Sequence, residues 1–111
     1  MDEQAVAEVK TEANRIIREL SPRKLVDRDD DKRLVLLVAT LFVAGVITQD
    51  MIQQSLESVD RKRSKGERFK TFAYFRGCIR KQCESAGLDL HELERNTKLP
   101  DIRPATAEPT S

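Results

Sequence analysis

Two residue types in this sequence could do nucleophilic or metal chemistry: the cysteines Cys78 and Cys83, and the single histidine, His91. On one helix, five residues apart, the two thiols would project about 140° apart around the axis, which disfavours a disulfide between them. No fourth ligand follows at the spacing that structural zinc sites use. We therefore expect free thiols, with Cys83 in the core and Cys78 half-buried, and we expect no metal site and no cofactor.

Catalytic motifs are also not apparent. One histidine and no GxSxG motif leave no recognisable nucleophile–base–orienter set, and a Cys–His pair is only weakly indicated. The four glycines are isolated, so they predict no phosphate-binding loop. A chain of 111 residues also has little room for both a core and an enzyme cleft. The sequence therefore predicts a protein that is not an enzyme.

The strongest chemical signal is positive charge in the middle of the chain. The whole sequence has a net charge of +1, but residues 61–81 contain nine Lys and Arg residues and one acidic residue, Glu67. We call residues 61–81 the basic stretch. Clustered Lys and Arg side chains neutralise phosphates and release counterions, so this stretch favours a nucleic acid, single- or double-stranded DNA in particular, as the partner.

Binding is predicted to involve these cations and one aromatic ring. Arg76 and Arg80 are four residues apart and would project from one side of a helix, while Tyr74 could stack on an unpaired base or simply pack. The candidate nucleic-acid-binding residues are Arg61, Lys62, Arg63, Lys65, Arg68, Lys70, Tyr74, Arg76, Arg80 and Lys81. The alternative is a protein-interaction adaptor or a homodimer, in which the basic stretch contacts an acidic protein surface.

The elements that position these residues are predicted to be helices. Residues 3–20 repeat apolar residues at three- and four-residue steps, and residues 31–44 are apolar on nearly every side, as a central helix would be. Thr48 is expected to cap a third helix over 49–62. A fourth helix, over 72–86, is predicted from an apolar stripe formed by Phe72, Phe75, Ile79, Cys83 and Ala86.

The remaining segments are predicted as connections and a tail. Residues 61–71 lack apolar periodicity apart from Phe69, which indicates a mobile, exposed cationic loop. Asp89 is expected to cap a last short helix that returns Leu90 and Leu93 to the core. The predicted fold class is all-α: a compact bundle of four to five short helices around a central apolar helix. We expect a single domain over 1–98 and a disordered tail over 99–111, where prolines and small polar residues prevail.

Residues 34–47 raise the question of a membrane, because they form an apolar run of fourteen residues. A membrane span needs roughly 20 apolar residues, so a buried core helix is the better interpretation and no membrane contact is expected. The N-terminus is acidic and has no signal-peptide core, which together with the expected free thiols indicates a cytoplasmic protein.

A helix-turn-helix is a less favoured interpretation of residues 34–59, which have roughly the right size for that motif. The second helix would offer Gln49, Gln53 and Gln54 to the bases, but it has no Lys or Arg before Arg61. Major-groove readers rely on such cations for phosphate contacts, so we favour the basic stretch as the site.

Several segments together resemble a known family. They are residues 47–59, the basic stretch, Tyr74-Phe75 followed by Cys78-Ile79, and Gly87-Leu88. This pattern, over about 34–93, is similar to the C-terminal domain of DnaD/DnaB-type primosome proteins and of phage and plasmid replication proteins. The resemblance implies a helical fold and a role in single-strand DNA binding and replisome loading, with Tyr74, Ile79 and the adjoining cations as candidates. We therefore predict a small non-enzymatic nucleic-acid-binding module of phage or plasmid replication or regulation, which uses a central basic loop and helix.

Overall fold

The computed structural model describes residues 2–23 and 26–101, and these residues form helices and connections without a strand. The helices are α1, Glu3–Leu20; α2, Asp29–Val43; α3, Gln49–Ser64; α4, Thr71–Ser85; and α5, Leu90–Asn96. The all-α class and the predicted bundle of four to five helices are confirmed. The predicted tail beyond residue 101 lies outside the described residues.

Polar side chains fix the starts of three helices. The Asp2 carboxylate accepts a hydrogen bond from the Ala5 amide at 2.7 Å, and the Thr48 hydroxyl accepts one from the Met51 amide at 3.2 Å. Asp89 accepts from two amides in the first turn of α5. Each contact satisfies amides that a helix cannot pair internally, so the predicted caps at Thr48 and Asp89 are confirmed.

Helix α2 is the centre of the core, as its apolar sequence predicts. Every residue from Leu34 to Leu41 is buried. Helix α1 packs along α2, and α3 packs along α4, so the first four helices form two helical hairpins. Since each buried aliphatic side chain contributes roughly 1.5–3 kcal/mol, α2 is the largest single source of apolar stabilisation in the fold.

Helix α4 buries the middle of its predicted stripe and little else. Phe75, Ile79 and Cys83 are fully buried, whereas Phe72 is half-buried. Ala86 was expected to complete the stripe, but it is exposed because α4 ends at Ser85. One side of α4 thus belongs to the core, and the opposite side remains available to solvent.

The clearest difference from the sequence prediction is at the start of the basic stretch. Helix α3 runs on to Ser64 instead of ending near residue 62. Its last turn contains three cations of the predicted loop, namely Arg61, Lys62 and Arg63. Cations are favourable at this end of a helix because its carbonyls carry partial negative charge. Gly66, at φ +74°, ends the helix, and the connection to α4 shortens to residues 65–70.

Leucines close the C-terminal end of the core. Leu90 of α5 is buried, and Leu93 and Leu99 are half-buried and pack against the core. The prediction that α5 folds back is confirmed, and Leu99, which was expected to begin the tail, contacts the folded part of the chain. No helix in the described part of the chain is long and apolar enough to cross a membrane.

Candidate nucleic-acid interface

The solvent side of the α3–α4 hairpin carries a regular row of contacts between the two helices. Six partly exposed residues form this side, which we call the α3–α4 face: Gln54, Ser58, Lys62, Tyr74, Cys78 and Gln82. The Gln82 amide donates to the Gln54 amide oxygen at 3.2 Å. One turn along, the Ser58 hydroxyl faces the Cys78 thiol, and its interaction with that thiol opposes the rise in the thiol pKa that burial causes. Since successive members are four residues apart on each helix, they all lie on the same side.

The third contact of the face is built around an ammonium group and two aromatic rings. The Lys62 Nζ atom lies 5.1 Å from the centre of the Tyr74 ring and 5.5 Å from the centre of the Phe69 ring. The two rings meet edge to face with their centres 5.4 Å apart. Such contacts hold a ring in one orientation. Tyr74, although 36% exposed, is therefore fixed in position on the surface.

Lys62 also forms an ion pair across the α3–α4 connection. Its Nζ lies 2.8 Å from a carboxylate oxygen of Glu67. This hydrogen bond raises the pKa of Lys62 and lowers the pKa of Glu67, because each charge favours the charged form of the other. Both groups are therefore fully ionised at neutral pH.

Three cations border the α3–α4 face. Arg61 donates to the Ser58 hydroxyl at 2.9 Å. Lys81 follows Cys78 by one turn of α4. Burial raises the pKa of the Cys78 thiol, and the positive charges of Lys81 and Arg61 oppose that shift. Lys65 follows Arg61 by one helical turn. Among the described residues, the side chains of Lys65 and Lys81 have no hydrogen-bond or ion-pair partner.

Arg63 faces away from this border. Its guanidinium donates to the carbonyl oxygen of Glu19 at 2.8 Å and to that of Leu20, and it lies 3.5 Å from the Asp60 carboxylate. These carbonyls are at the end of α1, where a helix cannot pair them internally. Arg63, predicted to hold phosphate, instead joins the end of α1 to the end of α3.

Arg76 and Arg80 are each placed beside a carboxylate. Arg76 donates to both oxygens of Glu94 at 2.7 and 3.1 Å, which ties α4 to α5. Arg80 is exposed and lies 3.8 Å from Glu84 on the same helix. Neither contacts the α3–α4 face in the described structure. Of the predicted pair, Arg76 therefore joins two helices, and Arg80 lies on the open surface.

A cleft of about 680 Å³ lies between the first turns of α2 and α4. Its charged lining consists of Arg28, Arg33, Lys70 and Arg76 together with Asp30, Asp31 and Glu94. Sequence reasoning missed Arg28 and Arg33, because they lie in or beside an acidic segment. Burial raises the pKa of Asp31. The cationic and acidic groups nearly balance here, so this cleft does not favour an anion.

Arg68, the last of the ten predicted residues, is exposed on the connection between α3 and α4.

The residues that could do metal or nucleophilic chemistry are two cysteines and one histidine. Within residues 2–23 and 26–101, no group of three His, Cys, Asp or Glu side chains could hold a metal ion. Cys78 and Cys83 are free thiols, half-buried and buried respectively, and His91 is exposed on α5.

The glutamines of the less favoured helix-turn-helix interpretation are placed differently from one another. Gln49 and Gln53 are exposed, whereas the Gln54 amide donates to Asp50 at 3.0 Å and accepts from Gln82. Gln54 thus belongs to the α3–α4 face, a role that only the spacing of residues 54, 58 and 62 could have indicated in the sequence.

No family model, curated protein or solved structure matches this chain. The α3–α4 face is therefore interpreted from its own chemistry. It offers a fixed ring, amide groups that donate and accept hydrogen bonds, and a border of ammonium and guanidinium groups. This combination suits a ligand with both stacking surfaces and regularly spaced negative charge.

Proposed function

We propose that this chain is a small non-enzymatic module that binds nucleic acid across the α3–α4 face. The observation that carries the proposal is the exposed Tyr74 ring, which Lys62 and Phe69 hold in place on a surface bordered by cations. A base can stack on such a ring, and each base stacked on an aromatic side chain adds about 1–3 kcal/mol. The neighbouring cations neutralise the phosphates on either side.

Three cations do most of the phosphate binding in this proposal. Arg61 is oriented by Ser58, whereas Lys65 and Lys81 are exposed with unpaired ammonium groups among the described residues. Gln54 and Gln82 supply groups that hydrogen-bond to the edges of unstacked bases. Arg63 and Arg76 are left out of this set, since their guanidinium groups already satisfy α1 carbonyls and Glu94.

The biological setting we propose is phage or plasmid replication or its regulation, in the cytoplasm. The support is the resemblance of residues 34–93 to the C-terminal domain of DnaD/DnaB-type primosome proteins. Of the two side chains singled out by that resemblance, Tyr74 is exposed on the α3–α4 face and Ile79 is fully buried in the core. Tyr74 is thus the one of the two that can contact a ligand.

Fluorescence anisotropy with labelled single- and double-stranded oligonucleotides tests the proposal. If three phosphates are neutralised, log affinity should fall against log salt with a slope of about −2 for single strands. The double variant Arg61→Gln/Lys81→Gln should bind more weakly and with a shallower slope. The matched control Lys10→Gln/Arg18→Gln removes two exposed cations from α1 and should leave both quantities unchanged.

Absence of binding to both oligonucleotides at 50 mM salt, or equal losses in the two double variants, would overturn the proposal. Light scattering in the same buffers addresses the alternative. A stable dimer without oligonucleotide binding would favour the homodimer or protein-adaptor interpretation of the basic stretch.

A further inference from the structure

Glu67 is the only acidic residue in the basic stretch, and it is paired with a cation of the α3–α4 face. We propose that Glu67 competes with a nucleic-acid phosphate for Lys62 and thereby limits the affinity of this face. This inference rests on the proposed function and adds an internal inhibitor to it. Lys62 then has two roles: it supports the Tyr74 ring, and it binds a phosphate once Glu67 has moved away.

The geometry around Lys62 supports competition. Its ammonium lies 5.5 and 5.1 Å from the centres of the Phe69 and Tyr74 rings and 2.8 Å from a carboxylate oxygen of Glu67. The rings accept no strong hydrogen bond, so among the described residues Glu67 is the one charged acceptor that this ammonium meets, at 2.8 Å, and it neutralises the charge that a phosphate would otherwise meet. A phosphate therefore gains the full charge of Lys62 only by replacing Glu67.

The replacement is not costly to the fold. The side chain of Glu67 is 52% exposed and that of Lys62 is 28% exposed, and ion pairs this open to water contribute little to stability. The contacts of Lys62 with both rings do not involve the carboxylate, so the Tyr74 ring keeps its support when Glu67 moves away. Glu67 also repels any phosphate that approaches Lys65, whose charge already acts on it.

A second acidic residue provides a matched control. Asp60 is also exposed, belongs to the same part of the chain and pairs with an arginine, but that arginine is Arg63, which is engaged by the end of α1. Neutralising Asp60 removes the same charge without freeing a cation on the α3–α4 face. The comparison between the two variants therefore separates competition for Lys62 from a general change in charge.

The experiment measures binding of a labelled 20-nucleotide single strand to the full chain and to Glu67→Gln, Asp60→Asn, Lys62→Gln and Lys62→Gln/Glu67→Gln. Glu67→Gln should bind roughly threefold to tenfold more tightly at 50 mM salt, with a log–log slope steeper by about 0.7, because one more phosphate is neutralised. Asp60→Asn should gain less than about twofold. Circular dichroism establishes that each variant is folded.

The double variant decides between competition and a general charge effect. In the Lys62→Gln background, Glu67→Gln should lose most of its gain, since no ammonium is left to be freed. An unchanged affinity in Glu67→Gln, or the same gain with and without Lys62, would overturn the competition while leaving the proposed function in place. Failure of the unsubstituted chain to bind at 50 mM salt would overturn both.

Discussion

The α1–α2 and α3–α4 hairpins share one architecture but differ in how they use their polar side. In the first hairpin, α2 is buried on nearly every side, and α1 covers it with an apolar face. Polar groups there pair locally, as in the ion pair of Glu12 with Arg15 at 2.8 Å. In the second hairpin, each helix buries one narrow stripe and leaves the rest to water.

This difference shows that the width of the apolar face decides whether a helical hairpin builds the core or presents a surface. A helix that is apolar all round needs neighbours on all sides, whereas a narrow stripe needs only one. The α3–α4 hairpin therefore has a side on which amides, a ring and cations can be arranged without cost to the core. Its stability and its binding should be separable by substitution.

The most severe test of that separation compares two adjacent residues of α4. Phe75 is fully buried and Tyr74 is partly exposed. Phe75→Ala should lower the free energy of unfolding by about 3–5 kcal/mol, because it leaves a cavity in the core. Tyr74→Ala should change stability far less but weaken oligonucleotide binding. Urea denaturation and anisotropy measure the two effects, and equal destabilisation by both variants would contradict the separation.

A smaller effect is expected from two arginines of the last turn of α3. Arg63→Gln should cost about 1–3 kcal/mol, because it leaves the half-buried Leu20 carbonyl and its neighbour at Glu19 without their donor. Arg61→Gln should leave stability unchanged and reduce affinity for oligonucleotides. The same two measurements apply, and a loss of affinity in a folded Arg63→Gln protein would show that Arg63 also contacts the ligand.

The smallest expected effect concerns the reactivity of the two thiols. Burial raises the pKa of Cys78 and of Cys83 above the ordinary value. Only the thiolate reacts, so at pH 7 alkylation by N-ethylmaleimide should be slower than for a free cysteine and should accelerate as the pH rises towards the raised pKa. Cys78 should react first, because Cys83 is fully buried. Mass spectrometry of timed samples gives the order, and early modification of Cys83 would contradict it.

Modification of Cys78 also tests the position of the site, since its thiol lies in the middle of the α3–α4 face. A protein alkylated there should bind oligonucleotides more weakly. Cys78→Ser, treated with the same reagent, is the control and should keep its affinity.

Much of the fold could be predicted from the sequence because the signals are local. Apolar residues at three- and four-residue steps give the bounds of α1 to the residue. Thr48 and Asp89 can be predicted as caps because each directly precedes such a pattern. The end of α3 could not be predicted in this way. Its last turn has no apolar residue and is supported by contacts from outside it, such as the hydrogen bonds of Arg63 to α1.

For the candidate site, the sequence located the charge but not the direction of each side chain. The Glu94 partner of Arg76 is 18 residues away, and the α1 carbonyls bound by Arg63 are 43 and 44 residues away. No spacing rule links residues so far apart. Uncharged members of the α3–α4 face, such as Ser58 and Gln82, gave no compositional signal. Their spacing does predict a shared helix side, because Ser58 follows Gln54 by four residues and Gln82 follows Cys78 by four residues.

The bond from Arg63 to the end of α1 has a consequence for the order in which the molecule assembles. Each hairpin can form from residues close together in the chain, but this bond forms only when the two hairpins dock. Since long loops close more slowly than short ones, it should be among the late contacts of folding. Arg63→Gln should then raise the unfolding rate and leave the folding rate nearly unchanged, because a contact that forms late is absent from the transition state for folding.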